Sequence, residues 1–235
     1  MVTTLALFVL AKRRRNLLGL PVRLLAWFQL VVLVLCRSSG AIILAVVGIL
    51  FVSFAKPKRQ LVFAVILALV TLLYPLLRAS DLFPVAGVLD AAGLLGEERR
   101  ESLAFRFYNE DLLLAHARER ILFGWGTYGR NRVFDADGRD MVVSDGYWVL
   151  ALGIAGLAGF IVSFGMLLWP VIWARRRLGS HGSKGDGPQL AGLALIVSLA
   201  AVDLIPNGLW AVYPYLLAGV LTRRLGELQP ISRDG

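Results

Sequence analysis

Residues 99–145 read RRESLAFRFYNEDLLLAHARERILFGWGTYGRNRVFDADGRDMVVSD. This is the one long polar stretch of the chain, and the sequence on both sides of it is largely apolar. The pattern predicts an apolar scaffold that presents this polar segment at one face of a lipid bilayer.

The composition of the chain indicates an integral membrane protein. Hydrophobic residues make up 57% of the sequence and the mean hydropathy is +0.70, whereas soluble domains contain about 45–50% apolar residues. A helix needs about 20 residues to cross the hydrocarbon, and a barrel strand would instead show about ten residues of alternating polarity. The length of the apolar runs therefore predicts an all-α fold, a polytopic transmembrane helix bundle with one large extracytoplasmic loop.

Six apolar runs are predicted to span the membrane. The run Met1–Ala11 covers only half a span and precedes a basic cluster, so it is interpreted as the end of a helix that begins before this sequence. It is not a secretory signal, because signals carry their charges before the apolar region. The expected domains are transmembrane helices over 1–77, a periplasmic loop over 78–145, transmembrane helices over 146–222 and a cytoplasmic tail over 223–235. The six predicted spans are roughly 17–36, 40–55, 61–77, 146–173, 190–204 and 208–221.

Short basic clusters fall at every second connector, at 12–15, 56–59, 175–177 and 223–224. Cytoplasmic loops carry the excess of lysine and arginine, and one topology places all four clusters on that side. It places the segment 78–145 outside.

The net charge of +9 is concentrated in these clusters. The segment 78–145 has nine arginines, no lysine and twelve acidic residues, which gives it a net charge of −3. No nucleic-acid partner is therefore expected. The exclusive use of arginine outside is consistent with bidentate binding of phosphate or carboxylate, and equally with a codon bias toward arginine.

Two elements are expected within the outer segment. Ser102–Arg120 contains no glycine or proline, which predicts an interfacial amphipathic helix over about 102–120. Apolar residues flank Asp137-Gly138, a hairpin turn signal. The nearby aspartates resemble part of a calcium loop, but the EF-hand spacing and its terminal glutamate are missing, so the hairpin is favoured. One cysteine, Cys36, and two histidines in separate segments give no disulfide framework or metal cluster, and no metal or cofactor is expected.

Three residues are the candidates for chemistry. Arg37 follows an apolar run directly, where a charge is costly unless it is paired or faces water; the alternative is an arginine that snorkels to the interface. Arg106 has Glu110 one helical turn on, and the alternative is a simple surface ion pair. Asp145 precedes a long apolar run as a candidate general base, or as a helix N-cap.

Other residues are candidates for binding. Gly124, Gly126 and Gly129-Arg130 could let backbone amides approach a phosphate, although glycine-rich turns are common. Asp203 lies near the end of an apolar span, where it could pair with Arg37 or Arg106. His116 is interpreted as an interfacial helix residue rather than a catalyst.

The order of these features resembles that of the O-antigen ligase-like membrane proteins, which include O-antigen ligases and O-antigen or exopolysaccharide polymerases. Arg37–Ala41 is similar to the family's Ser-Arg-x-Ala segment. Arg106 followed by Ile121–Gly126 resembles its Arg…Pro-Leu-x-Gly-x-Gly segment, and Ser144–Trp148 followed by Gly153–Gly159 resembles its His-Asn-x-Tyr-Leu…Gly-x-x-Gly segment. The resemblance covers roughly residues 23–173.

Two departures refine the resemblance. Ile121 stands where the family has proline, and Ser144-Asp145 stands where ligases have a histidine, which fits polymerase-like branches better. Family members have more spans than are predicted here, so the chain resembles the C-terminal portion of such a protein.

The resemblance implies a metal-independent glycosyltransferase on the periplasmic face of a bacterial inner membrane. It would transfer a glycan from undecaprenyl diphosphate to a hydroxyl acceptor. In this interpretation Arg37 and Arg106 stabilise the leaving diphosphate and Asp145 is the base. The expected partners are the lipid-linked glycan, the bilayer and other polysaccharide-export proteins. A non-catalytic membrane subunit or a transporter of lipid-linked glycans is the alternative function. The expected substrate-binding residues are Arg120, Arg130, Gly124, Gly126, Tyr147 and Asp203.

Overall fold

The computed structural model describes residues 1–12, 15–17, 19–143, 145–181, 185–208 and 212–228. Within these ranges the chain is mostly helical, and the all-α class is confirmed. Arg13 and Arg14 of the first basic cluster, Ser144 and the tail beyond residue 228 lie outside the described residues. The helices are α1 (Val2–Ala11), α2 (Val22–Leu35), α3 (Ser39–Phe54), α4 (Pro57–Ala79), α5 (Val85–Gly93), α6 (Glu97–Arg118), α7 (Tyr147–His181), α8 (Gly187–Asp203) and α9 (Tyr213–Gly226). The strands β1 (Asn16–Leu17) and β2 (Leu20–Pro21) form a small antiparallel pair between α1 and α2.

Two of the described helices, α4 and α7, are long and apolar enough to cross a membrane. The mean hydropathy of their best windows is 2.4 and 2.2. The helices α2, α3, α8 and α9 overlap predicted spans but have only 14, 16, 17 and 14 residues. A span needs about 20 residues, so the structure supports fewer spans by length than the sequence predicts.

The chain divides into two compact units. Unit 1 contains Met1–Leu69, Met166–Asp203 and Val212–Gly235, and unit 2 contains Val70–Gly165 and Leu204–Ala211. The boundaries therefore fall inside α4 and α7.

In unit 1, α1 packs against α2, α3 and α8. Glycines make the approach of α1 possible. A Cβ at Gly48 of α3 would lie 2.6 Å from the Leu5 side chain, and one at Gly192 of α8 would lie 2.8 Å from that of Val9. Small residues of this kind let apolar helices pack closely where the hydrophobic effect supplies little drive.

In unit 2, aromatic side chains form the centre of the core. Tyr74 of α4 makes edge-to-face contacts with Phe83 and Trp148, with ring centroids 5.1 and 5.3 Å apart. Phe107 of α6 lies against Phe83 at 5.9 Å. Such contacts add about 0.5–1.5 kcal/mol each beyond the area that they bury, so they fix α4, α6 and the start of α7 to one another within this unit.

The helix expected over about 102–120 is α6, but it begins earlier. Gly96 has φ 128°, and the helix starts directly after it at Glu97 and continues to Arg118. Glu97 and Glu98 occupy the first turn, where negative side chains complement the helix dipole. The sequence prediction missed these acidic residues as a helix start because they belong to a charged run.

The hairpin predicted at Asp137-Gly138 is confirmed. Phe134 and Asp140 form an antiparallel bridge, and the Asp135 carboxylate accepts hydrogen bonds from the N–H groups of Asp137 and Arg139, at 2.9 and 2.8 Å. The Asp135 side chain is therefore used to build the turn.

Candidate functional site

The structure brings Arg106 and Asp145 together in unit 2. The Arg106 Nε atom lies 3.6 Å from Asp145 Oδ2, and both side chains are about one-third exposed, at 36% and 33%. The Arg106 Nη1 also donates a hydrogen bond to the carbonyl oxygen of Pro206, at 3.1 Å. An accessible arginine is thus held beside an accessible carboxylate, the two groups that the sequence predicted as a phosphate ligand and a base.

Hydrogen bonds to backbone groups fix the chain before and after Asp145. The Asn109 side chain, one turn along α6 from Arg106, accepts a hydrogen bond from the N–H of Val143 at 2.7 Å. The first N–H of α7, that of Tyr147, donates to the carbonyl oxygens of Leu204 and Asn207, at 3.0 and 3.2 Å. Since α7 begins at Tyr147, an N-cap side chain would bind the N–H of Trp148 or Val149. The contact that the structure shows for the Asp145 carboxylate is the one with Arg106.

A buried charge network lies next to this pair. The Arg78 side chain is 4% exposed and contacts Glu110 Oε2 at 3.3 Å and Asp111 Oδ1 at 2.5 Å. The other oxygen of Glu110 accepts a hydrogen bond from Trp148 Nε1 at 3.2 Å, and Tyr74 donates its hydroxyl to Oε2 at 2.9 Å. Glu110 is therefore committed to Arg78, and the Arg106–Glu110 surface pair considered from the sequence is not formed.

Sequence reasoning missed this network, although a signal was present. Arg78 ends an apolar run in the same way as Arg37, and the rule that singled out Arg37 applies to it equally. Burial raises the pKa of the Glu110 carboxyl, while the hydrogen bonds from Trp148 and Tyr74 and the charge of Arg78 act to lower it. Removing one partner of a buried charge pair leaves the other uncompensated. Because its members come from α4, α6 and α7, the intact network holds these three helices together within unit 2.

The helix α7 is interrupted at Gly156, which has φ 63° and ψ −162°. The loop Ile121–Gly126 fills the interruption. Both segments belong to the motifs that carry the family resemblance. Four backbone hydrogen bonds join them: Trp125 N–H to Gly153 O (2.8 Å), Gly126 N–H to Ile154 O (2.8 Å), Leu157 N–H to Ile121 O (2.7 Å) and Ala158 N–H to Leu122 O (3.2 Å).

These bonds replace the helical ones. In a regular helix the N–H of residue 157 would bind the carbonyl of 153, and that of 158 the carbonyl of 154. The loop supplies partners for all four groups instead, as buried backbone groups require. The approach is so close that a Cβ at Gly156 would lie 2.4 Å from the Leu122 carbonyl carbon, and one at Gly124 would lie 2.6 Å from the Gly156 nitrogen.

The loop Ile121–Gly126 therefore packs against α7 through its backbone. The N–H of Gly124 donates to the Arg120 carbonyl at 2.8 Å, and those of Trp125 and Gly126 donate into α7. The amides of Gly124 and Gly126 are thus bonded to carbonyl oxygens in this structure, and the assignment of these glycines to phosphate binding stays a prediction.

The predicted binding residues Arg120 and Arg130 form a second cluster around this loop. The Arg120 guanidinium lies 4.3 Å from the ring centroid of Trp125. The His116 ring stacks on Trp125 at 4.4 Å, and its Nε2 lies 3.0 Å from the Arg130 carbonyl oxygen. Through these two contacts His116 helps to order the loop.

Arg106 lies near the middle of α6, and the cluster around Trp125 lies beyond its C-terminal end. Arg106 and the last helical residue, Arg118, are twelve residues apart, or about 18 Å along the axis. Arg120 therefore cannot contact the same phosphate group as Arg106.

The remaining predicted site residues are distributed as follows. Arg37 lies between α2 and α3 in unit 1 with φ 54°. Asp203 is the last residue of α8, also in unit 1. The Tyr147 side chain is buried in unit 2 against Phe164, with ring centroids 5.6 Å apart. Ser144 of the third motif is outside the described residues.

No protein-family model, curated protein or solved structure matches the chain. Among the residues that the structure describes, no three His, Cys, Asp or Glu side chains gather in a metal-binding arrangement.

Proposed function

We propose that the chain is a multi-pass membrane glycosyltransferase of the O-antigen polymerase or ligase type. It would transfer a glycan from undecaprenyl diphosphate to a hydroxyl acceptor on the periplasmic face of a bacterial inner membrane. The observation that carries the proposal is the accessible Arg106–Asp145 pair, with Nε and Oδ2 3.6 Å apart.

The pair supplies the two functions that the transfer needs. The bond between the anomeric carbon and the diphosphate oxygen breaks, and negative charge develops on the diphosphate. A guanidinium placed where that charge develops stabilises the transition state. The acceptor hydroxyl attacks the anomeric carbon and gives its proton to the Asp145 carboxylate, which acts as general base. The new glycosidic bond forms on the acceptor oxygen, and undecaprenyl diphosphate leaves on Arg106.

In the resting pair, each group neutralises the other. A bound diphosphate would compete with Asp145 for Arg106, since phosphate matches the planar guanidinium in a bidentate way. Binding of the donor would therefore release the carboxylate to accept a proton. The Pro206 carbonyl keeps Arg106 in place during this exchange, through the 3.1 Å hydrogen bond to Nη1.

The apolar surface supports a location in the membrane. Only 39% of the best window is buried in each of α4 and α7, whereas a core helix of a soluble protein would be mostly buried. The part of α7 after Gly156, residues 157–179, is about 35 Å long and would cross the roughly 30 Å hydrocarbon core by itself. The basic clusters of the sequence favour an outside location for the arginine-rich segment 78–145.

A transporter of lipid-linked glycans is the second candidate, and the interruption of α7 favours it. Transporters use broken helices whose free ends bind the substrate or coupling ion. Here the loop Ile121–Gly126 occupies the backbone groups at the break. The structure therefore supports the transporter less than the enzyme.

Reconstitution distinguishes the two functions. The purified chain would be placed in liposomes with undecaprenyl-diphosphate oligosaccharide that carries a radiolabel in the lipid. An enzyme releases labelled undecaprenyl diphosphate and lengthens the glycan, while a transporter moves intact lipid-linked glycan between leaflets. Movement without any bond cleavage would reject the proposed activity.

A further inference from the structure

A cavity of about 390 Å³ opens on unit 2 beside the hairpin and the start of α7. It borders the α7 break at Ile154, whose carbonyl oxygen accepts the Gly126 N–H, and neither Arg106 nor Asp145 lines it. Its wall combines aromatic, amide, hydroxyl and aliphatic groups. The lining residues are Thr127, Tyr128, Gly129, Asn131, Arg132, Leu150 and Ile154.

Asn131 is the residue in this wall whose side chain points most clearly to a ligand. It is only 7% exposed, and within the part of the chain that the structure describes its side-chain amide makes no hydrogen bond. Its amide atoms are not among the fully enclosed, unpaired polar atoms of the described residues, so they remain accessible from the cavity that Asn131 lines. The amide has two donors and one acceptor to offer, so a ligand with several hydroxyl groups would satisfy it.

The charge of the cavity wall is balanced. Arg132 contacts the Asp140 carboxylate, and its Nη2 donates to the Val142 carbonyl oxygen at 2.8 Å. Because the guanidinium already has an anionic partner, the cavity offers no free cation for a phosphate. Its ligand is therefore expected to be uncharged where it meets this wall.

Tyr128 gives the cavity an aromatic rim. Its side chain is 96% exposed, and its backbone has φ 63°, which is a strained conformation for a residue with a Cβ. Strain of this kind is concentrated at ligand-binding sites. Leu150 and Ile154 supply an aliphatic surface opposite polar groups. A pyranose ring matches this combination, because it presents apolar C–H faces and a rim of hydroxyl groups.

We infer that this cavity is a saccharide subsite that binds one neutral pyranose unit, with its ring on Tyr128 and its hydroxyls on the Asn131 amide. Its role in the reaction rests on the proposed function. Leu150 and Ile154 follow Asp145 by five and nine residues, or about 8–14 Å along α7. The bound unit would therefore belong to the same glycan as the reacting sugar but lie away from the bond that forms.

A lipid acyl chain is the competing occupant, since it would cover Leu150, Ile154 and the Tyr128 ring. It would leave the Asn131 amide buried without a partner, so the saccharide fits this wall better. Replacing Asn131 with an apolar residue of similar size should therefore weaken the binding of a saccharide but strengthen the binding of an acyl chain.

Binding is tested with oligosaccharides released by mild acid from the envelope polysaccharide of the producing cells. They would be added to the full chain in detergent, and contacts would be detected by saturation-transfer NMR and titration. Asn131→Leu and Tyr128→Ala should each weaken binding about tenfold or more, as expected for loss of about 1.4 kcal/mol of contact energy. Tyr108→Ala is the matched control, because Tyr108 is also an exposed tyrosine of unit 2, at 57%, but does not line the cavity.

Thermal unfolding separates binding from folding. Asn131→Leu removes an amide that makes no hydrogen bond within the described residues, so no intramolecular bond is lost and its melting temperature should stay close to that of the wild type while saccharide binding falls. The inference is overturned if no oligosaccharide binds, if Asn131→Leu binds them as well as the wild type, or if that variant only gains affinity for lipid.

Failure of the subsite is distinguishable from failure of the proposed function. Release of undecaprenyl diphosphate without any saccharide contact at Tyr128 and Asn131 would reject the subsite and keep the enzyme. Saccharide binding that depends on both residues, without any release, would keep the subsite and reject the enzyme.

Discussion

Replacing Gly156 by alanine should expel the loop Ile121–Gly126 from the interruption in α7. The new methyl group would lie 2.4 Å from the Leu122 carbonyl carbon and 2.5 Å from its oxygen. Both contacts are with backbone atoms, which cannot rotate away as a side chain can. The φ of 63° adds strain for any residue with a Cβ.

The structure allows an estimate of the cost. If the interruption is kept, alanine at positive φ costs about 1–3 kcal/mol before the clash is counted. If the loop leaves, four backbone hydrogen bonds are lost and the two helical bonds of a straight α7 are regained. The net loss of two bonds corresponds to about 2 kcal/mol. Either route lowers the melting temperature by roughly 4–8 °C for a chain of this size.

Hydrogen exchange at single amides measures directly whether the loop amides stay bonded to the carbonyl oxygens of α7. In the Gly156→Ala protein, the amides of Trp125 and Gly126 should exchange much faster than in the wild type, because their carbonyl acceptors return to the helix. Gly165→Ala is the matched control, since it lies in the same helix and its Cβ would meet no atom within 4 Å. It should leave exchange unchanged and hold or raise the melting temperature, because alanine is favoured over glycine by about 1 kcal/mol in a helix. Equal exchange and equal melting temperatures in the two variants would refute the account of the loop.

Three further predictions concern charge. Burial raises the pKa of Glu110 above its ordinary value of 4.5, so the folded state binds this proton more tightly than the unfolded state. The stability that the bound proton contributes is present below pH 4.5 and is lost as the pH rises through the raised pKa. Melting temperatures of Glu110→Gln should lack that loss, and a pH profile identical to that of the wild type would contradict the prediction. Arg37→Lys should impair polymer formation in complementation nearly as much as Arg37→Ala, because a lysine lacks the planar fork, and full rescue by lysine would favour simple snorkelling. A cysteine at Asp137 should react with an impermeant thiol reagent in intact cells and one at Lys58 should not, in a background without Cys36; reversed labelling would invert the topology.

The sequence predicted what depends on local pattern. The helix over about 102–120 appeared as α6 because the stretch has no glycine or proline, and the Asp137-Gly138 turn appeared because its chemistry is local. Boundaries were less accurate, and α6 begins five residues before the predicted start. Apolar composition located α2 and α9 only approximately. α2 has 14 residues where 17–36 was predicted, and α9 has 14 residues, as many as the predicted 208–221, but begins five residues later.

Contacts between distant residues could not be read from the sequence. Arg78 and Glu110 are 32 residues apart, and no periodicity links them. The glycines of the loop and of α7 were visible as motifs, but a glycine in a sequence does not reveal whether its amide faces a ligand or another backbone. The Arg106–Asp145 pair was predicted only as two candidates, and their 3.6 Å separation is a result of the fold.

The central claim is that the Arg106–Asp145 pair carries out glycosyl transfer, and single-turnover transfer by Asp145→Asn tests it most directly. Donor and acceptor lipid-linked oligosaccharides would be mixed with excess reconstituted protein, and released undecaprenyl diphosphate would be followed over time. Asp137→Asn is the control, because Asp137 is an exposed hairpin carboxylate at 72%. Loss of a general base should slow the Asp145→Asn reaction by about 10²–10⁴-fold, with donor binding retained and the control unchanged. Transfer by Asp145→Asn at the wild-type rate would contradict the account.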